Sequence, residues 1–360
     1  MSKAFYSIIK GTGRYIPTRI IKNEKFLENE FYNSAGEKIA KTNNEIVSKF
    51  NQITEIEERR YVEDKYVASD IGFFAAQDAL TSSNTDKETL DYIIVAHNFG
   101  DVKKSNPKSD LVPCLAVRIK QKLGIENPNT VAYDLSFGCP GWIQAMIQAD
   151  YYIRSGDAKR IMVIAAETLS RVFDPHDIDG MLYSDGAGAA ILEAVESDTP
   201  VGMISHKTRT DALEYGMLLR MEKSYDPQYG KNDIFIKMNG RKLYEYALNH
   251  VPQVVKECID KAGVPFAEIK KVLIHQANAK MDYAILARIF RLYGVKEIPD
   301  DIMPMTISKL GNNSVATVPI LCDLIMKGNM EGQKINSGDY YVLASVGAGM
   351  SISVILCRQQ

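Results

Sequence analysis

Cys139 is the residue best set for nucleophilic chemistry. It lies in Asp134-Leu-Ser-Phe-Gly-Cys-Pro-Gly-Trp-Ile143, just ahead of an amphipathic segment that runs to Ile153. Proline is favoured in the first helical turn, so Cys139 belongs at or beside a helix N-terminus, where unpaired N–H groups and the helix dipole stabilise an anion. A free thiol has a pKa of about 8.5, and a downward shift of about 1.5 units would make most of it nucleophilic at neutral pH. The alternative is a small buried hydrophobe, the commoner fate of such cysteines. Cys114, Cys258, Cys322 and Cys357 lack this setting and read as packing. His275, in Ile274-His-Gln-Ala-Asn278, falls where a buried strand ends and a helix begins, a position at which open α/β sheets place ligand-binding groups. A satisfied structural histidine is the other reading. Asn312, in Gly311-Asn-Asn-Ser-Val-Ala-Thr-Val-Pro319, stands just ahead of a helix, as a cap or as an amide for substrate. Gly347-Ala-Gly349 permits close backbone approach to a reacting carbonyl, or simply a tight turn. Asp185-Gly-Ala-Gly188 lacks the following lysine and the spacing of a phosphate cradle. His97, His176, His206 and His250 form no pair with metal-ligand spacing; the last three are expected in loops or exposed helix.

The elements that must position these residues alternate. Val- and Ile-rich runs at 92–96, 160–165, 272–274 and 340–344 read as buried strands, and Val342–Cys357 as a buried strand pair. Helical patterns fall at 69–82, 111–123, 139–155, 240–262, 279–293 and 314–328. The alternation predicts parallel sheets with helices on their faces. An internal echo sharpens this: Ser155-Gly-Asp157 leads into one strand and Ser337-Gly-Asp339 into another, 182 positions later. Gly186-Ala-Gly188 is matched by Gly347-Ala-Gly349, and Ile94-Val-Ala-His-Asn98 faintly by Leu273-Ile-His-Gln-Ala-Asn278, in the same order. Two α/β halves, 1–200 and 201–360, are therefore expected, with 25–58, 98–113, 171–184 and 206–238 as insertions or capping loops.

Composition sets outer bounds. The 360 residues are 46% hydrophobic and 24% charged, which excludes collagen-like, low-complexity and largely disordered chains. A formal net charge of −2 supplies no global field toward nucleic acid or an anionic membrane. The N-terminal residues carry no secretory pattern, no stretch suits a membrane span, and five scattered cysteines without a CxxC pair fit a reducing cytoplasm.

Taken together, Gly-Cys139-x-Gly, His275-Gln-Ala-Asn278, Gly311-Asn312 and Gly347-Ala-Gly349, in this order, resemble the β-ketoacyl-acyl carrier protein synthase III enzymes of the thiolase superfamily. Glu167-Thr-Leu-Ser170, Asp174-Pro175, Tyr183-Ser-Asp-Gly-Ala-Gly188 and Met238-Asn-Gly-Arg241 extend the match over nearly the whole chain. The resemblance implies an α/β, thiolase-like, duplicated five-layered αβαβα fold that forms a homodimer through its first half. It implies that Cys139 is acylated, that the N–H groups of Cys139 and Gly349 form the oxyanion hole, and that His275 and Asn312 bind the second thioester. The reaction would be decarboxylative condensation with a malonyl thioester in fatty-acid initiation or a related pathway, without metal or cofactor. Acyl carrier protein would be the partner, docked by Lys280 and Arg241, with Lys270, Lys271 and Arg288 as helpers.

Departures from the family bear on substrate. Ser48-Lys-Phe-Asn51 lacks the tryptophan that stacks on adenine in acetyl-CoA-primed members, and Ile178 replaces the companion arginine, so the primer could arrive on a carrier protein. Val112 holds the place of a bulky phenylalanine that closes the partner's acyl pocket, which suggests a primer longer or more branched than acetyl. Acyl transfer or thioester hydrolysis without condensation is one alternative. A non-catalytic partner subunit of a heterodimer is another. Relatives that need an added glutamate are disfavoured, because the 98–113 loop offers only Asp101 and Asp110.

Overall fold

A computed structural model describes residues 4–360. The first half runs β1 (Ala4–Tyr15), α1 (Ala68–Ser83), β2 (Tyr92–His97), α2 (Leu115–Leu123), β3 (Val131–Ser136), α3 (Gly141–Ser155), β4 (Arg160–Thr168) and β5 (Asp185–Ser197). Its five strands form one sheet in the order β1-β5-β4-β2-β3. The second half repeats the plan with β6 (Gly202–Thr210), α4 (Gly240–Ala262), β7 (Ile269–Ile274), α5 (Ala279–Leu292), α6 (Thr317–Met326), β8 (Tyr340–Gly347) and β9 (Ser351–Arg358), in the sheet order β6-β9-β8-β7. Where β3 flanks β2 in the first sheet, the second has a short irregular segment in which Ile302 O accepts from Val272 N at 2.8 Å. Pro299 and Pro304 bracket it, and proline cannot donate to a ladder.

Both sheets are mixed, which corrects the expectation of parallel sheets. β2 runs parallel to β3 and β4, and β7 parallel to β8, because helices cross over between them. β5 and β9 return antiparallel beside β4 and β8, since no crossover helix separates those partners. Five layers result. α1 and α2 cover one face of the first sheet through Ile71, Ala75, Ile119 and Ile164. α4 and α5 cover the outer face of the second through Val251, Val255, Ile285 and Val354. α3 and α6 lie between the sheets in one core that joins Trp142, Met146, Val163, Leu321 and Leu343.

Helix limits follow local chemistry. α2 begins at Leu115 rather than 111, because Pro113 bars its predecessor from helical backbone. α6 starts at Thr317 after a 3-10 turn over Ser314–Ala316, three residues later than the pattern suggested. His206 lies on β6 rather than in a loop or an exposed helix.

A cap closes one end of the molecule. Its helix, Asn43–Thr54, opens with a capping box between Thr42 and Glu45 and buries Ile46 and Phe50. Arg59 is fully buried beneath it and donates to Met181 O at 3.1 Å, Ile21 O at 3.1 Å and Asn23 Oδ1 at 2.7 Å. The ribbon of Leu219–Glu222 with Phe235–Met238 is pinned by buried Lys237, whose Nζ pairs with Asp174 and Asp177 and lies 3.3 Å from the Tyr225 ring centre. With all three groups out of water, loss of Lys237 would leave two buried carboxylates without their shared cation. Among the described residues no helix is long and apolar enough to cross a membrane, and no cluster of three or more His, Cys, Asp or Glu is placed to hold a metal ion.

Candidate active site

Cys139 ends the turn between β3 and α3, preceded by Gly138 with φ 64° and followed by Pro140 at the helix N-cap. The second half closes on this turn backbone to backbone. A Cβ added to Gly347 would stand 2.8 Å from Cys139 Cβ, Cys139 N and Pro140 Cδ, and one on Gly138 would stand 3.1 Å from Ala348 N. Glycine is called for at Gly347 by contact and at Gly138 by its left-handed backbone, with the close approach of Ala348 adding to it.

His275 follows the last residue of β7, its N–H donating to Ala344 O at 2.8 Å. Asn312 sits on the loop before α6, held by a parallel bridge to Tyr183: its N–H donates to Leu182 O at 2.9 Å and its carbonyl accepts from Ser184 N at 2.9 Å. Asn312 Oδ1 accepts Ser314 N–H at 2.8 Å, which leaves Nδ2 as its free donor. Cys139, His275 and Asn312 line one cavity of about 880 Å³. The cap helix contributes Ile46, Phe50 and Thr54 to its walls, and Lys41, Lys49 and Arg241 stand among the lining residues. Lys49 and Phe50, from the 48–51 stretch that lacks an adenine-stacking tryptophan, and Ile178, in place of the companion arginine, are on this wall.

The electrostatics differ from the expectation at the sulfur. Burial pushes the Cys139 thiol up to about 11, and the Glu167 carboxylate adds to the rise, while a hydrogen bond with Ser314 opposes it. The expected lowered pKa is therefore corrected for the substrate-free protein: removing the thiolate from water outweighs the helix terminus. Burial lowers His275 to about 4, so the imidazole is neutral, and its Nδ1 is enclosed without a partner. Glu167 is raised to about 7, again by burial. Asp179, also on the cavity wall, is raised to about 7 by burial and by Asp177.

The remaining expected residues fall as follows. Gly349, with φ 77°, and Ala348 are both absent from the lining of the cavity; in the terminal loop Gly347 packs against Cys139, and Ala348 against Gly138. Val112 is 86% exposed and outside its own chain's cavity. Lys280 is exposed at the start of α5, and Arg241 is exposed at the start of α4, paired with Glu245 at 3.1 Å. Lys271 is corrected as a docking residue: it is 3% exposed and its Nζ is held by Asp301 O and Oδ2. Arg288 is occupied by Leu248 O and Asn249 Oδ1. His97 accepts from Gly100 N and pairs with Asp134, whose carboxylate caps α2. Three residues near the sulfur escaped the sequence reading of the chemistry: Ser314, Asn98 and Glu167. Their signals were indirect: Asn98 follows a strand that echoes the one before His275, Glu167 opens a stretch that matches the family, and Ser314 stands two residues after Asn312.

Two stacked α/β halves that bring a cysteine, a histidine and an asparagine to one cavity define a condensing enzyme of thiolase-like fold. Residues 133–212 match the family described as 3-Oxoacyl-[acyl-carrier-protein (ACP)] synthase III, and residues 259–359 match its C-terminal counterpart. The chain belongs to the 3-oxoacyl-[acyl-carrier-protein] synthase III family and is an acyltransferase. It is 31% identical over 356 residues to beta-ketoacyl-[acyl-carrier-protein] synthase III 1 of Vibrio vulnificus (strain YJ016), covering 98% of this chain and 99% of that one. The 3-oxoacyl-[acyl-carrier-protein] synthase III of Aquifex aeolicus VF5 superposes with a TM-score of 0.77 at 27% identity, over 98% of this chain and 99% of that one. The priming beta-ketosynthase of the R1128 polyketide biosynthetic pathway shares the fold, with a TM-score of 0.80 at 24% identity over 100% of this chain and 98% of that one.

Proposed function

We propose that Cys139 takes up an acyl primer and that His275 and Asn312 then guide its condensation with a malonyl thioester carried by acyl carrier protein. The observation that carries this reading is the shared cavity of the three side chains. Cys139 Sγ attacks the primer thioester carbonyl, the proton of the thiol leaves with the departing carrier thiol, and an acyl-cysteine remains. Because the resting thiol is neutral, proton loss accompanies attack. The tetrahedral oxyanion is held by the N–H groups of Cys139 and Gly349. A malonyl thioester next loses CO₂, and charge develops on its carbonyl oxygen. Neutral His275 and the free Nδ2 of Asn312 donate hydrogen bonds to that oxygen. The resulting enolate carbon attacks the acyl-cysteine, releasing a β-ketoacyl thioester and the Cys139 thiolate, which regains a proton. These steps call on no metal or redox cofactor.

Lys280 and Arg241, both exposed, suit an acidic carrier protein. A homodimer through the first half is supported by β3, an edge strand with Val131 48% exposed. A cavity of about 880 Å³ with Ile39, Ile53, Leu219 and Leu243 on its wall has room for the carrier arm and a primer longer than acetyl.

Intact-protein mass spectrometry with acyl-CoA and acyl carrier protein thioesters tests the reading. The expected result is an acyl adduct lost in Cys139→Ala, and in His275→Ala an adduct that forms but no longer condenses. An adduct that persists without Cys139 overturns it, as does condensation that survives loss of both His275 and Asn312.

A further inference from the structure

The cavity wall behind Cys139 holds polar groups that the reaction above does not use. Ser314 Oγ lies 3.3 Å from Cys139 Sγ. On its other side, Asn98 Nδ2 donates to Ser314 Oγ at 3.0 Å. Asn98 is itself oriented by Glu167, whose Oε2 accepts from Asn98 N at 3.2 Å and from Asn98 Nδ2. An amide nitrogen is only a donor, so it occupies a lone pair of the serine oxygen and leaves the hydroxyl proton for another acceptor. Among the described residues the remaining contact of Ser314 Oγ is the cysteine sulfur. The backbone of Ser314 is held where few residues go, at φ 51°, with its N–H on Asn312 Oδ1 at 2.8 Å. Strain of this kind persists where surrounding structure over-determines it, and it clusters at functional sites.

We propose that Glu167 and Asn98 aim the Ser314 hydroxyl at Cys139 Sγ, so that Ser314 stabilises the thiolate and its backbone at the same time orients the Asn312 amide. Glu167 and Asn98 are positioning residues; Ser314 touches the reacting atom. One serine then links both steps, through its side chain to the nucleophile of the first half and through its N–H to the carboxamide of the second. The inference deepens the role given to Cys139 and rests on that reading. The other titratable groups facing this spot are Glu167 beside the sulfur, with His97 and Asp185 acting on it from behind, neutral His275 across the cavity, and Tyr183, whose phenol is pushed up by burial and so stays uncharged.

The test is the pH profile of Cys139 alkylation by iodoacetamide in the full chain, beside the acyl-adduct assay. A hydroxyl hydrogen-bonded to a thiolate is charge-assisted, and its loss should move the profile up by about one unit, slowing alkylation about tenfold at fixed pH below the thiol pKa. Ser314→Ala and Ser314→Gly should both show this, the glycine variant without backbone strain because φ 51° suits it. Asn98→Ala should shift the profile in the same direction by less. Glu167→Gln, which keeps an acceptor for Asn98 and removes a negative charge, should speed alkylation. A Ser314→Gly protein that melts like wild type and alkylates along the wild-type profile overturns the inference. A wild type that takes no acyl adduct, while the alkylation profile shifts as described, supports the relay and defeats the reading of Cys139 as acyl carrier.

Discussion

Glu167 is a carboxyl with nowhere to send its charge. Its ordinary value of 4.5 is raised by burial to about 7. The native protein therefore holds a proton that the unfolded chain releases between pH 4.5 and 7. Stability falls as pH rises through that window, and above it the full cost is present, about 3 kcal/mol by linkage. Glu167→Gln should accordingly melt higher than wild type at pH 8, with the difference closing by pH 4.5; thermal melts across pH check this. His275 acts with opposite sign: its folded value of about 4 lies below the ordinary 6.5, so its stabilising share fades as pH falls from 6.5 to 4. At this scale the meeting of Cys139, His275 and Asn312 at one cavity was legible, because each stands in a distinctive local setting. The electrostatics were not. Desolvation of the sulfur comes from atoms of both halves, and Ser314 is 175 positions from Cys139, a separation no local pattern reports.

At the scale of elements, two junctions decide whether the site exists. Gly347→Ala places a methyl 2.8 Å from backbone and Cβ atoms of Cys139, contacts that flexible side chains cannot relieve. We expect a loss of about 1–3 kcal/mol in stability from overpacking and a fall in acylation larger than the stability loss accounts for, checked by denaturant titration beside adduct formation. Thr42→Ala removes the cap helix's reciprocal hydrogen bonds with Glu45 and should cost about 1 kcal/mol. Since that helix forms cavity wall, the kinetic signature should be a raised KM with kcat little changed. Helices were the best-read elements: 240–262 agrees with Gly240–Ala262, and 279–293 with Ala279–Leu292. Strand direction was read less well, because alternation of apolar runs does not reveal which connections omit a helix, and β5 and β9 turn back for that reason. The cap was visible only as polar insertions, its order coming from distant anchors such as Arg59 and Lys237.

For the whole molecule, Val112 separates one chain from two. It is 86% exposed and away from its own cavity, so the proposed effect on primer length requires a dimer interface to carry it. Val112→Phe should shift the preferred primer toward shorter chains in an acyl-thioester rate series, and sedimentation should show a dimer at the assay concentration. An unchanged series in a proven dimer removes Val112 from the pocket. The duplicated plan was legible through Ser155-Gly-Asp157 and its later echo, whereas the merging of the two halves was not, since it depends on α3 and α6 sharing one interior. That shared interior has a consequence for traffic. A seam sealed by Trp142, Leu321 and Leu343 and by glycine-to-cysteine contact cannot swing apart as a jaw does. Cargo must come and go without that seam parting, so any give in the vessel has to be found on its other side, where the Asn43–Thr54 helix is a small lintel set against the masonry.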